Sequence, residues 1–141
     1  MLIYPVMLDP AEEGGFVVTF PNVPEAITQG DNETEALIMA QDALVTMFDA
    51  YMQDRQTIPE GSSIYAKPCV IFPVILAGKI ALYNAMLTVN MTTEELAMRL
   101  DIAPAMAERL LSLRHKSRIE QIENGLALFG KRLVVDVREA A

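Results

Sequence analysis

The apolar pattern of this chain changes its period at Gly78, so a single sheet or a single bundle would not satisfy both halves. Before that point Phe16-Val-Val-Thr-Phe20 alternates as a strand does, and prolines and glycines punctuate the chain at short intervals. After it, KIALYNAMLTVN, TTEELAMRLDI, APAMAERLLSLRHKS and RIEQIENGLALFG space their apolar residues by three and four, as helices do. The expectation is an α+β chain of two domains, residues 1–76 and 79–141.

Within the first half, Leu2 to Leu8 and Phe16 to Phe20 read as two strands joined by DPAEEGG, whose Asp-Pro and Gly-Gly are turn chemistry. A third short strand runs from Ala26 to Gln29 and ends at Gly30. Asn32 and Glu35 form a capping-box pair, so a helix begins at Glu33 and continues to about Gln53, with Leu37, Ala40, Leu44, Met47, Phe48 and Tyr51 on its apolar side. The apolar run from Lys67 to Leu76 supplies a last strand, making a β-β-β-α-β unit.

The second half reads as four helices. Capping-box pairs Thr92/Glu95 and Ser117/Glu120 place two starts, Pro104 opens another helix, and Gly130 suits a left-handed stop. Leu133-Val-Val-Asp-Val137 reads as a terminal strand. An isolated strand needs a partner, either a second copy of the chain or the strand's own domain, and the first is the expectation: a homodimer or a dimer of dimers.

Charge divides the chain at the same place. Up to Gly78 there are two basic residues against eleven acidic, net −9; from Lys79 on there are nine against eight, net +1. An acidic surface repels phosphates and attracts basic proteins, whereas the cluster RHKSR from Arg114 to Arg118 is suited to approach phosphates.

Hydrophobic residues make up 52% of the chain, enough for a core, yet the longest apolar run, Cys69 to Gly78, contains a proline and falls short of the ~20 residues of a membrane helix. The start MLIYPVMLDP lacks a basic segment before its apolar residues, which argues against a secretion signal. These features predict a soluble, cytoplasmic protein with no membrane partner. One cysteine, Cys69, and one histidine, His115, provide neither a disulfide nor the usual zinc ligands, so no metal and no cofactor are expected. Asp9, Glu12, Glu13, Asp42 and Asp49 are the carboxylates a two-metal nuclease would need, but nothing in their spacing gathers them, and no GxSxG elbow is present. No catalytic residue is assigned.

The stretch TTEELAMRLDIAPAMAERLLSL has the spacing of a helix-turn-helix. Ala97 is small where two helices cross, and Leu96, Leu100, Ile102, Ala107 and Leu110 fix their angle. Asp101 occupies the turn and tolerates the left-handed region better than most residues. The DNA-facing set is Thr93, Ala105, Glu108, Arg109, Ser112, Arg114, His115, Lys116 and Arg118. Arg109 is suited to a bidentate contact with guanine and Glu108 to accept from cytosine, while Arg114, His115, Lys116 and Arg118 suit phosphates. Ala103 and Ala105 leave the front of the second helix poor in hydrogen-bond donors.

Taken in order, Gly14-Gly15-Phe16, Phe20-Pro21, Pro24, Thr28-x-Gly30, Glu35-Ala36 and Ala40 to Leu44, followed by Glu95-Leu96-Ala97 through Arg109-Leu110 and Leu128-Phe129-Gly130-Lys131, resemble the HicB antitoxin family of type II toxin–antitoxin systems. The resemblance is to members with a C-terminal Cro-like helix-turn-helix, and it spans nearly the whole chain. It implies a degraded ribonuclease-H-like fold for the first domain and a DNA-binding, dimerising second domain. The implied partner is a HicA-type toxin, a small basic protein that cleaves mRNA with a histidine. The acidic domain would block that toxin through residues such as Asp9, Glu12, Glu13 and Glu25, and the dimer would repress its own operon at an operator in double-stranded DNA. The rival reading is a stand-alone dimeric transcription regulator whose acidic domain senses another ligand or protein.

Overall fold

In the computed structural model, residues 2 to 139 are described, and they form two compact units. The first comprises Leu2–Asp54 with Ile58–Phe72; the second comprises Arg55–Thr57 and the chain from Pro73 onward. The described residues hold five helices and two small antiparallel sheets, a mixed α and β architecture.

In the first unit, strands β1 (Ile3–Pro5), β2 (Met7–Pro10), β3 (Phe16–Thr19) and β4 (Ile27–Gly30) precede helix α1 (Glu33–Gln53), and β5 (Cys69–Ile71) closes the unit. The stretch from Leu2 to Leu8 is therefore two strands rather than the single one expected. Pro5 has no N–H to donate, and pairing passes at Val6 from one sheet to the other. β1 pairs with β5, Val6 donates to the Pro68 carbonyl at 3.1 Å, and β2 pairs with β3, which pairs with β4. The sheet orders are β1-β5 and β2-β3-β4.

Asn32 caps α1 by accepting from the Glu35 N–H at 2.9 Å, and the Glu35 carboxylate reaches back to the Asp31 N–H at 3.3 Å. Ala36, Ala40, Leu44 and Phe48, one turn apart, are wholly buried and press α1 onto the sheet. Small residues permit this approach: a Cβ at Gly30 would collide with the backbone of Ala36. Tyr4, Phe48 and Phe72 form the aromatic centre, with ring centroids 5.2 to 5.7 Å apart. The Tyr4 hydroxyl donates to the Pro59 carbonyl at 2.8 Å, which satisfies its polar end; burial pushes the phenol far above its ordinary range.

The second unit is helical: α2 (Val74–Thr88), α3 (Thr93–Leu100), α4 (Pro104–Leu111) and α5 (Ile119–Ala127). Leu82, Met86, Met91, Leu96, Ala97, Ala107, Leu110, Ile122 and Leu126 make its core. α2 and α5 approach closely because both carry a glycine at the crossing; a Cβ at Gly125 would lie 2.9 Å from a Leu82 methyl and one at Gly78 2.7 Å from an Ile122 methyl.

Three expectations are corrected here. The run from Lys67 to Leu76 is divided: β5 ends at Ile71, Pro73 caps the next element, and α2 begins at Val74. With Leu2 to Leu8 divided into two strands as well, the first unit has the order β-β-β-β-α-β rather than β-β-β-α-β. Ser117 does not cap α5. Arg118 occupies that position without a side-chain cap, because the Ser117 hydroxyl accepts from Lys79 instead. Finally, Leu133 to Val137 forms no strand; its backbone pairs with none of the described strands, and Val134, Val135 and Val137 are exposed.

Candidate functional site

The geometry around α3 and α4 follows from local chemistry. Thr92 accepts from the Glu95 N–H at 3.1 Å and starts α3, while two acidic residues, Glu94 and Glu95, occupy the first turn, where the helix dipole favours them. Asp101 ends α3 with φ 53° and ψ 50°, the left-handed conformation its sequence position called for. The Ile102 N–H then bonds the Ala97 carbonyl at 3.0 Å, so the turn is closed before Pro104 starts α4. Leu96, Ala97, Ala107 and Leu110 are buried between the two helices, and Leu100 and Ile102 pack against them.

This leaves the opposite side of α4 to solvent. Ala105, Glu108, Arg109 and Ser112 are exposed, and so are Arg114, His115, Lys116 and Arg118 in the segment that follows; Thr93 is half-buried. The basic side chains therefore lie on one short stretch between the end of α4 and the start of α5.

A residue that sequence reasoning missed underlies that stretch. Lys79, on α2, is fully buried and donates to the Arg109 carbonyl at 2.9 Å, to the Ser112 carbonyl and to the Ser117 hydroxyl, the last two at 2.6 and 2.9 Å. Two of these acceptors are carbonyls in the last turn of α4 and at its C-cap, the negative end of a helix, which a cation stabilises. The third joins the start of α5 to the same ammonium. Burial pulls the Lys79 pKa down to about 8, so the group is charged at neutral pH. A lysine within an apolar helical run was the available signal: buried lysines are rare unless their charge is partnered.

In the first unit, the register places Met7, Thr19 and Ile27 side by side, and Asp9, Val17 and Gln29 side by side one step along. Alternation puts both rows on one face of the three-stranded sheet, whereas Leu8, Val18, Thr28 and Gly30 face α1. Asp9 is exposed on the outer face, and Glu12 and Glu13 are exposed in the β2–β3 turn. Glu25 belongs to a different surface. Its carboxylate accepts from the Tyr51 hydroxyl of α1 at 2.7 Å, which holds it below the usual carboxylate range. Burial and that bond push the Tyr51 phenol up to about 12. Among the described residues, no three His, Cys, Asp or Glu side chains converge as a metal site would require, and Asp42 and Asp49 lie on α1 away from Asp9. No single described helix is long and apolar enough to cross a membrane.

These features define a two-unit chain with an acidic sheet-and-helix unit and a helical unit carrying a basic stretch. Residues 3–81 match a family described as HicB-like antitoxin of bacterial toxin–antitoxin system. Similarity extends well beyond that segment. The chain is 44% identical over 130 residues to Antitoxin HicB 2 of Photorhabdus laumondii, covering 92% of each chain. It is 40% identical over 131 residues to Antitoxin HicB of Escherichia coli K12, with 92% of this chain and 95% of that one covered. Antitoxin HicB of Pseudomonas fluorescens is 32% identical over 142 residues, 99% of this chain and 97% of its own. The chain belongs to the HicB antitoxin family.

Proposed function

We propose that this protein is the antitoxin of a toxin–antitoxin pair: its first unit binds and neutralises a HicA-type mRNA-cleaving toxin, and its second binds operator DNA to repress the operon. The observation that carries this reading is the segregation of charge between the units. The first holds eleven acidic residues against one basic, and the second ten basic against eight acidic. A surface so acidic steers a basic protein toward itself and keeps nucleic acid away. Asp9, Glu12 and Glu13 are the proposed toxin contacts, with Glu25 on the flank beside α1. Family membership, and relatives named as antitoxins over nearly their full lengths, support the same reading.

In the second unit, α3 and α4 act as the helix-turn-helix, with α4 as the recognition helix. Arg109 is the guanine reader, because a guanidinium is able to donate two hydrogen bonds to the guanine O6 and N7 edge. Glu108 and Ser112 add polar contacts, and Thr93, Arg114, His115, Lys116 and Arg118 hold phosphates. The small side chain of Ala105 lets the helix approach the groove closely. Two copies bind the two halves of an operator, about 34 Å apart, as paired helix-turn-helix units do. Residues Leu133 to Val137 join the copies: Val134, Val135 and Val137 are all exposed in the single chain, an apolar surface that a second copy would cover.

Co-expression with a HicA-type toxin tests the central claim. Rescue of growth and co-purification of both chains are expected. No rescue and no complex would leave instead a DNA-binding regulator whose acidic unit takes another ligand.

A further inference from the structure

The first unit carries an apolar surface that its own chain leaves uncovered. Met7 and Ile27, 52% and 66% exposed, stand in one row of the β2-β3-β4 sheet with Thr19 between them. The next row, Asp9, Val17 and Gln29, shares that face. Both flanking strands are edges of their sheet, and α1 packs only on the opposite side. A half-apolar sheet face of this kind, with acids at one end, has the composition of a recognition surface rather than of a solvated sheet, whose outer positions are polar.

The chemistry of the rim selects the occupant. Asp9 lies in the face itself, and Glu12 and Glu13 stand in the adjoining turn. A second copy docked here about a two-fold axis would bring the same acids into one interface from both sides, which disfavours it. Nucleic acid is repelled by the unit's eleven carboxylates against one lysine. We infer that this face, with Met7 and Ile27 as its apolar anchors and Asp9, Glu12 and Glu13 as its acidic rim, is the docking surface for a basic protein with an apolar centre. The inference rests on the antitoxin reading and identifies that basic protein as the toxin.

The experiment compares Met7→Arg, Ile27→Arg and the double variant with Ile38→Arg. Ile38 is as exposed as Ile27, at 66%, but lies on α1. Because all three positions are exposed, circular dichroism should show the fold retained. Affinity for a co-expressed HicA-type toxin is expected to fall roughly 30-fold or more in the double variant, as for loss of central anchors, with Ile38→Arg close to the parent chain. Undiminished toxin binding by the double variant would overturn the assignment of the face, as would a loss confined to Ile38→Arg. A double variant that loses self-association and keeps toxin binding would assign the face to a second copy and equally overturn it. Failure of the unsubstituted chain to bind the toxin would instead remove the antitoxin reading itself.

Discussion

Lys79 holds three oxygens with one ammonium, and Arg109 shows why that matters at the surface. The Arg109 carbonyl is fixed from beneath by Lys79, while its side chain projects outward at the end of α4. Replacing Lys79 with Met removes a charged donor shared by three oxygens and leaves the Arg109 and Ser112 carbonyls with the longer contacts from the Ser112 and His115 N–H groups, at 3.2 and 3.3 Å, which is expected to destabilise the second unit by about 1 to 3 kcal/mol in urea denaturation. The pH dependence has a definite sign. The folded pKa of about 8 lies below the ordinary 10.5, so the unfolded chain binds more protons between those values. The contribution of Lys79 to stability therefore rises as pH increases from about 8 to 10.5, and that rise should be missing from Lys79→Met. Arg109→Ala belongs to the same scale. It should weaken operator binding by about 1 to 3 kcal/mol, measured by titration at fixed salt, and leave toxin neutralisation intact.

The elements are set largely by their ends. Asn32, Thr92, Asp101 and Pro104 each begin or end a helix where the chain's own local chemistry directs, and those boundaries were legible before any fold was known. Asp101 is the sharpest test. A β-branched residue at φ 53° is strained, so Asp101→Val should lower the melting temperature of the second unit, by about 1 to 2 kcal/mol of stability, whereas Asp101→Gly should be tolerated. Strands were less legible. Leu2 to Leu8 reads as one strand because its residues fit a sheet throughout; only the partners, β5 for Ile3–Pro5 and β3 for Met7–Pro10, divide it. The α5 start was misread for a related reason, since Ser117 has an acceptor's role for a lysine 38 residues earlier that outweighs the cap. The terminal residues from Leu133 to Val137 have strand composition but no strand neighbour among the described residues, and a ladder requires one.

On the scale of the whole molecule, the two units carry different charge and different proposed partners. Their functions should separate under mutation: Met7→Arg with Ile27→Arg should weaken toxin binding without changing operator affinity, and Arg109→Ala should weaken operator binding without changing toxin binding. Salt should separate them too. Toxin association is expected to slow as ionic strength rises, visible in stopped-flow rates, because the steering field of the acidic unit is screened beyond about 10 Å at 0.1 M salt. Logarithmic operator affinity should fall linearly with logarithmic salt concentration, and loss of one residue proposed to hold a phosphate, such as Lys116, should make that slope shallower by about 1.

From the sequence alone came the change from strand-like to helical spacing, which the structure sets at Pro73 and Val74 rather than Gly78, the division of charge, the start and length of α1, the α3–α4 turn and the basic residues that follow α4. All of these depend on residues within a few positions of one another, where caps, turns and periodicity act. The tertiary structure decided which strands pair, which face of the sheet stays open, where Glu25 points and what Lys79 is for. Each of those depends on groups brought together from distant positions, as when Lys79 meets Arg109, Ser112 and Ser117. A buried charge declares its partners only when the chain that supplies them has folded around it.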